Sequence, residues 1–293
     1  MALVVRCKKF SRYLSVVLLL VCFSNNPAAA EPRPIRFAPL PMENHETVVK
    51  QFRPMLFYLE EKLKQSVQID FSDGYGEIID KFRAGLIDLA YLGPLPYVEL
   101  RRQYPQAEPL VHFNEQSGKP TYTCAIVAMA DAGLKLEGLR KQRIALTQPL
   151  STCGYLSVAG LLRQRGTSLE ENSYSYLDKH DAVALAVVRG EFDAGGLKTA
   201  IGKKYQHLGL NILAETEPMP GFALIANQAT LPLATQHAIR ILLTQLDPAG
   251  EEKDRIGLWG ENLRHGATAA TDSDYEPVRL LKGDMFIPAK DKK

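Results

Sequence analysis

The chain has 293 residues, 46% of them hydrophobic and 23% charged, which supports a folded core and excludes a disordered chain. A mean hydropathy of −0.13 leaves no room for several membrane spans. Its 35 basic residues against 33 acidic give +2, and without the four basic residues of positions 1–30 the balance is 31 against 33, or −2; a nucleic-acid binder would carry a basic excess to replace phosphate counterions, and none is present.

Arg6 to Arg12 form a basic start, Tyr13 to Phe23 an apolar run, and Ala28-Ala29-Ala30 a small-residue site, so residues 1–30 read as a secretory signal peptide cleaved after Ala30. The apolar stretch Leu14–Phe23 is too short to cross about 30 Å of hydrocarbon as a helix, and Val21 before Cys22 is not the small residue a lipoprotein site needs. Removal of this segment takes Cys7 and Cys22 with it and leaves Cys124 and Cys153 where thiols can oxidise. Spacing alone leaves open whether these two are bonded or free, since a bond needs Cα atoms within about 7 Å. Neither forms a C-x-x-C pair, so no structural zinc, and no cofactor of any kind, is expected.

From Pro34 the pattern alternates between short apolar runs and helical spacing. Ile35–Phe37 predicts a strand, Val49–Leu63 a helix with Phe52, Leu56, Leu59 and Leu63 on one face, and Val67–Phe71 a strand. Glu77–Ala84 predicts a helix, Ile87–Tyr91 a strand stopped by Gly93-Pro94, and Pro94–Tyr104 a returning helix. Polar residues Asn114–Pro120 mark a crossing, after which Tyr122–Met129 is rich in strand formers. Strands at Arg143–Thr147, Ser173–Leu177, Phe192–Gly195 and Leu210–Ala214 then alternate with helices at Ser151–Arg165 and Asp181–Arg189. After Pro218-Met219-Pro220-Gly221 come a strand, Phe222–Ala226, and helices at Leu231–Leu246 and Asp254–Leu263. Such alternation predicts an α/β fold of two lobes, each a mostly parallel sheet flanked by helices, with a ligand cleft between them. Residues 31–115 and 222–293 are assigned to lobe 1 and 116–221 to lobe 2.

Four places can carry chemistry. Ser151-Thr152-Cys153-Gly154 lies between a strand and a helix, where unpaired N–H groups, the helix dipole and two hydroxyls suit an anion and the glycine permits close approach; a plain helix cap is the alternative. His180 opens the next helix and, in a parallel sheet, shares an edge with Ser151, where it can donate to an oxyanion or simply sit part-exposed. Tyr75, in Asp73-Gly74-Tyr75-Gly76, and Tyr122 each offer a polar tip and an apolar face to a cleft, or else pack in the interior. His45, His112, His207, His237 and His265 lack such neighbourhoods and read as surface or structural.

Taken in order, Asp73-Gly74-Tyr75, Leu89-Ala90-Tyr91-Leu92-Gly93-Pro94, Pro120-Thr121-Tyr122, Ser151-Thr152-Cys153-Gly154-Tyr155, His180 with Ala182, Gly190-Glu191-Phe192-Asp193-Ala194 and Pro220-Gly221 resemble the phosphate, phosphite and phosphonate substrate-binding proteins of ABC importers, which have the type II periplasmic binding protein fold. The resemblance implies a periplasmic, monomeric, non-enzymatic protein that captures a small phosphorus oxyanion and presents it to an ABC permease. Its ligand would be held by Tyr75, Tyr122, Ser151, Thr152, Cys153, Gly154 and His180, with Cys153 standing where the family has serine. Ala200 and Phe222 stand nearest to where relatives that take an amino-alkylphosphonate place carboxylates, which argues against an amine-bearing ligand. Two alternatives accompany this reading: an input module for a membrane sensor, and a secreted thiol enzyme using Cys153 with His180 as base. No metal and no nucleic acid enter any of them.

Overall fold

A computed structural model describes residues 1–2, 33–41 and 45–292; the expected signal segment and its cleavage point lie outside the described residues. The chain from Arg33 onward forms one unit. It begins with the expected alternation: β1 (Ile35–Ala38), α1 (His45–Leu63), β2 (Val67–Ile69), α2 (Tyr75–Arg83), β3 (Leu89–Leu92) and α3 (Pro94–Gln103). The face of α1 carrying Phe52, Met55, Leu56 and Leu59 is buried on the sheet, as its spacing predicts. A further strand, β4 (Ala107–Phe113), was not expected. Its alternation is interrupted by Pro109, and the structure accommodates that proline at a register irregularity opposite Leu224 and Ile225, where a missing N–H is tolerated.

The chain then crosses through β5 (Thr121–Tyr122) into β6 (Cys124–Met129) and β7 (Arg143–Leu146). A wide helical turn, Thr152–Leu156, runs into α4 (Ser157–Gln164), followed by β8 (Ser173–Tyr176), α5 (His180–Val188), β9 (Ala194–Lys198), α6 (Thr199–Lys204) and β10 (Leu210–Glu215). It returns through β11 (Met219–Pro220) to β12 (Ala223–Asn227), α7 (Leu233–Thr244), α8 (Lys253–Ile256), β13 (Ala267–Ala269) and α9 (Glu276–Lys282). The helix predicted over Asp254–Leu263 is thus confined to its first turn.

The strands form one sheet in the order β13-β4-β12-β3-β1-β2 and another in the order β10-β6-β9-β7-β8, and β5 pairs antiparallel with β11. Both large sheets are mixed, with most strands of each running one way, as expected: β12 and β13 are reversed in the first and β6 in the second. In the first, β1 is parallel to β2 and β3 while β12 is antiparallel to β3 and β4; in the second, β7 is parallel to β8 and β9 while β6 is antiparallel to β9 and β10. Of the reversed strands, β6 and β12 are the ones the chain enters straight from the other sheet, without the helical crossover that parallel neighbours require.

The last residues depart from the lobe assignment, which gave all of 222–293 to the first lobe. Lys292 exchanges backbone hydrogen bonds with Tyr174 on the edge strand β8 (2.7 and 2.9 Å), and Tyr176 Oη donates to Pro288 O at 2.6 Å. Met285 and Ile287 pack against the cores of both sheets. The tail therefore covers an edge of the second sheet that would otherwise present unpaired backbone groups.

Two glycines position the site. On β9, a Cβ at Gly195 would meet Val183 of α5 at 2.6 Å and one at Gly196 would meet Val158 of α4 at 2.3 Å, so their absence lets both helices lie close on the sheet. Since β7, β8 and β9 run the same way, the starts of α4, α5 and α6 come to one edge.

Candidate functional site

At that edge a pocket is lined from the second sheet by Ser151, Thr152, Cys153, His180 and Lys198, and from the first by Tyr75, Gly93, Pro96 and Phe222, with Tyr122 contributed by the crossing segment. Its cavity volume is about 30 Å³, and it continues outward into a wider compartment of about 220 Å³ reached by Gln51, Asp178, Asp181, Ile201 and Asn262. Six of the seven predicted ligand residues thus lie around one pocket.

The turn is arranged as an acceptor of negative charge. Thr152 and Cys153 stand first in the helical run, so their N–H groups have no intrahelical acceptor. Ser151 Oγ makes no hydrogen bond to the described residues, whereas Thr152 Oγ1 accepts from Leu95 N at 3.0 Å. That bond joins the start of α3 on the first sheet to the turn on the second and leaves the threonine proton to be donated elsewhere.

Gly154 is the exception. It does not line the pocket: its N–H is spent on Ser151 O at 3.2 Å, and a Cβ there would meet Thr147 Oγ1 at 2.6 Å. Its glycine is needed for packing against the end of β7, not for approach of a ligand.

Cys153 is joined to Cys124 in a disulfide with Cα atoms 5.0 Å apart. The bond fastens the turn to the first residue of β6 and, with Tyr122, forms a small buried cluster under the pocket. The expected weak thiol donor is therefore not there, and Cys153 offers only its backbone N–H. The same bond overturns the thiol-enzyme alternative, which needs a free Cys153.

His180 has a defined tautomer. Its Nδ1 accepts the backbone N–H of Lys198 at 3.1 Å, so the neutral ring carries its proton on Nε2. Burial, and then the positive charge of Lys198, push its pKa down to about 4, with Asp181 pulling weakly the other way. It is a neutral donor at ordinary pH. Burial likewise raises the phenols of Tyr75 and Tyr122, which stay protonated donors.

Lys198 and Phe222 complete the lining. Lys198 Nζ contacts both carboxylate oxygens of Glu115 at 2.8 and 2.6 Å and lies 5.2 Å from the centroid of the Tyr122 ring. Phe222 stacks between Tyr91 and Tyr122, with centroids 5.3 and 6.1 Å away. Sequence reasoning ended the strand at Gly195 and so missed Lys198. The signal was available, because a lysine preceding Thr199 at a strand-to-helix junction occupies the same edge as Ser151 and His180. Ala200 is exposed and lines neither compartment, whereas Lys198 and Ile201 do.

Among the described residues no helix is long and apolar enough to cross a membrane, and no cluster of His, Cys, Asp or Glu is arranged to hold a metal. Two mixed sheets joined by paired crossing strands, with a cleft at their facing edges, have the type II periplasmic binding protein fold. The chain belongs to the family described as ABC transporter, phosphonate, periplasmic substrate-binding protein, which matches residues 37–275. It is 27% identical over 273 residues to the phosphate-import protein PhnD of Mycolicibacterium smegmatis, covering 85% of this chain and 84% of that one. It is 24% identical over 287 residues to the phosphonates-binding periplasmic protein of Escherichia coli, covering 92% and 82%. In fold it is similar to PhnD1 of Prochlorococcus marinus, solved in complex with methylphosphonate, with a TM-score of 0.72 at 18% identity over 87% of this chain and 99% of that one.

Proposed function

We propose that this protein is exported to the periplasm, captures a small phosphorus oxyanion (phosphate, phosphite or a simple phosphonate) in the cleft, and delivers it to an ABC permease. The observation that carries this reading is the convergence of donors without acceptors: the Thr152 and Cys153 amides, the Ser151 hydroxyl and the neutral His180 ring line one pocket. Tyr75 reaches the same pocket from the first sheet and Tyr122 from the crossing segment, so a bound anion gains its full set of partners only when the lobes are together. In this reading lobe 1 comprises 31–115 and 222 to about 283, lobe 2 comprises 116–221, and closure is what the permease recognises. The protein acts as a monomer, without a cofactor and without catalysing a reaction.

Calorimetry of the purified protein with phosphate, phosphite, methylphosphonate and 2-aminoethylphosphonate tests it. Saturable one-to-one binding of at least one of the first three, with 2-aminoethylphosphonate not the tightest, is the expected result. Binding of none of the four, or a clear preference for the amine, would overturn the reading.

A further inference from the structure

The pocket that receives the oxyanion contains one formally charged lining residue among those described around its inner compartment, Lys198, since His180 is neutral. Its side chain is only 15% exposed and its ammonium is held in place by Glu115, whose side chain is 23% exposed, from the first turn of the crossing segment. An ammonium has three N–H donors. Two directions are taken by the carboxylate oxygens of Glu115, and the group rests against the face of Tyr122, which also faces the pocket.

Resting on the function proposed above, we propose that Lys198, positioned by Glu115, is the specificity-determining residue of the cleft: it selects oxyanions whose substituent is neutral or absent and rejects those carrying a cationic group. Three features of the pocket produce this selection. First, Lys198 lines both the inner and the outer compartment, so any substituent extending from an oxyanion at the Ser151 turn passes it. A second ammonium brought to within a few ångströms in this poorly hydrated space meets like-charge repulsion that water screens little. Secondly, acceptors for that ammonium are few: both Glu115 oxygens are engaged by Lys198, Asp181 on the outer compartment is held by Lys204 and Tyr205, and Asp178, which also lines it, stands beside Lys179. Thirdly, the opposite wall is the ring of Phe222, which can pack an apolar substituent but offers a cation no hydrogen-bond acceptor.

The test compares methylphosphonate with 2-aminoethylphosphonate by calorimetry on the wild-type protein, Lys198→Met and Glu115→Gln. For Lys198→Met, methylphosphonate should weaken by roughly 10- to 100-fold, the usual effect of losing a charge-assisted contact, while 2-aminoethylphosphonate weakens less or improves, so the preference between them collapses. Glu115→Gln keeps an oxygen to orient the lysine and removes a negative charge, and should tighten methylphosphonate by about two- to fivefold. Opposite signs from the two partners are what a merely structural ion pair does not produce. Unchanged preference in Lys198→Met, equal weakening of both ligands, or weakening in both variants alike would overturn the inference. If the wild type binds neither phosphonate nor inorganic oxyanion, the underlying function fails and this inference falls with it. Wild-type binding with unchanged preference in Lys198→Met sinks the inference alone.

Discussion

Strand β3 has a polar site at each end, and the two are built on opposite principles. At its start Asp88 is fully buried and every direction around its carboxylate is occupied: Arg33 at 2.7 and 2.8 Å, Arg36 through its backbone at 2.9 Å and its side chain at 2.9 and 2.8 Å, and Thr230 at 2.6 Å. Burial by itself would raise this carboxyl, but the hydrogen bonds from Arg33, Arg36 and Thr230 hold it well below the usual carboxylate range. Just beyond its other end, Gly93 borders the cleft, where Ser151 Oγ and the leading amides of the turn have donors and no acceptor. A polar group that is saturated from within holds the fold together. One left with unspent capacity in a cavity is available to something from outside.

The comparison can be broken most directly at Asp88. Asp88→Ala removes the acceptor from two arginines and should destabilise the protein by about 3–5 kcal/mol, read as a lower denaturant midpoint with an unchanged m-value. Oxyanion affinity of the folded protein should be unaltered. A loss below about 1 kcal/mol would mean that the arginines rehydrate freely and that the cluster is ornamental.

The disulfide belongs to both categories. Cys124 and Cys153 are 29 residues apart, and closing a loop of that size stabilises the fold by roughly 3–4 kcal/mol in the chain-entropy account. Because the bond also fixes the turn against β6, the double variant Cys124→Ser, Cys153→Ser should lose both thermal stability and ligand affinity. A variant that loses stability but binds as tightly as wild type would show that the turn holds its shape through α4 alone.

At the cleft the expectation reverses. Ser151→Ala deletes a hydroxyl with no partner among the described residues, so stability should change by less than about 0.5 kcal/mol. Phosphate or methylphosphonate binding should weaken by about tenfold. Equal binding would place the anion out of reach of residue 151 and return that serine to the role of a helix cap.

The same division governs how much could be read from the sequence. The alternation of strand and helix, the face of α1 with Phe52, Leu56 and Leu59, and the pairing of the Ser151 turn with His180 are local patterns whose meaning does not depend on distant residues. Lys198 was legible only as a lysine at the same sheet edge; its role was not, because that depends on Glu115, 83 residues away. The cysteine bond needed a distance that no spacing supplies. Strand β4 was hidden by Pro109, which is admitted where β4 carries an extra residue, Leu110, against Leu224 and Ile225 of β12. Gly154 had the right residue type but the wrong orientation: only the packing of Thr147 against it shows that it faces away from the pocket.

The smallest effect concerns protons at His180. In the free protein burial and the charge of Lys198 hold this ring neutral to about pH 4, against an ordinary value of 6.5 that the unfolded chain retains. Between these values the unfolded state takes up a proton that the native state refuses, so the stability associated with a neutral ring is complete above about pH 6.5 and drains away as pH falls toward 4. A bound oxyanion facing Nε2 reverses the preference and lifts the pKa, so that ligand binding in this window takes up a fraction of a proton. Calorimetry in two buffers of different ionisation enthalpy measures that fraction, and NMR titration follows the ring. The value in Lys198→Met should move back toward 6.5, because the second of its two depressing causes is gone. Were the ring of the free wild-type protein to titrate near 6.5 instead, His180 would be hydrated in the open cleft, and its neutral Nε2–H donor would form only on closure.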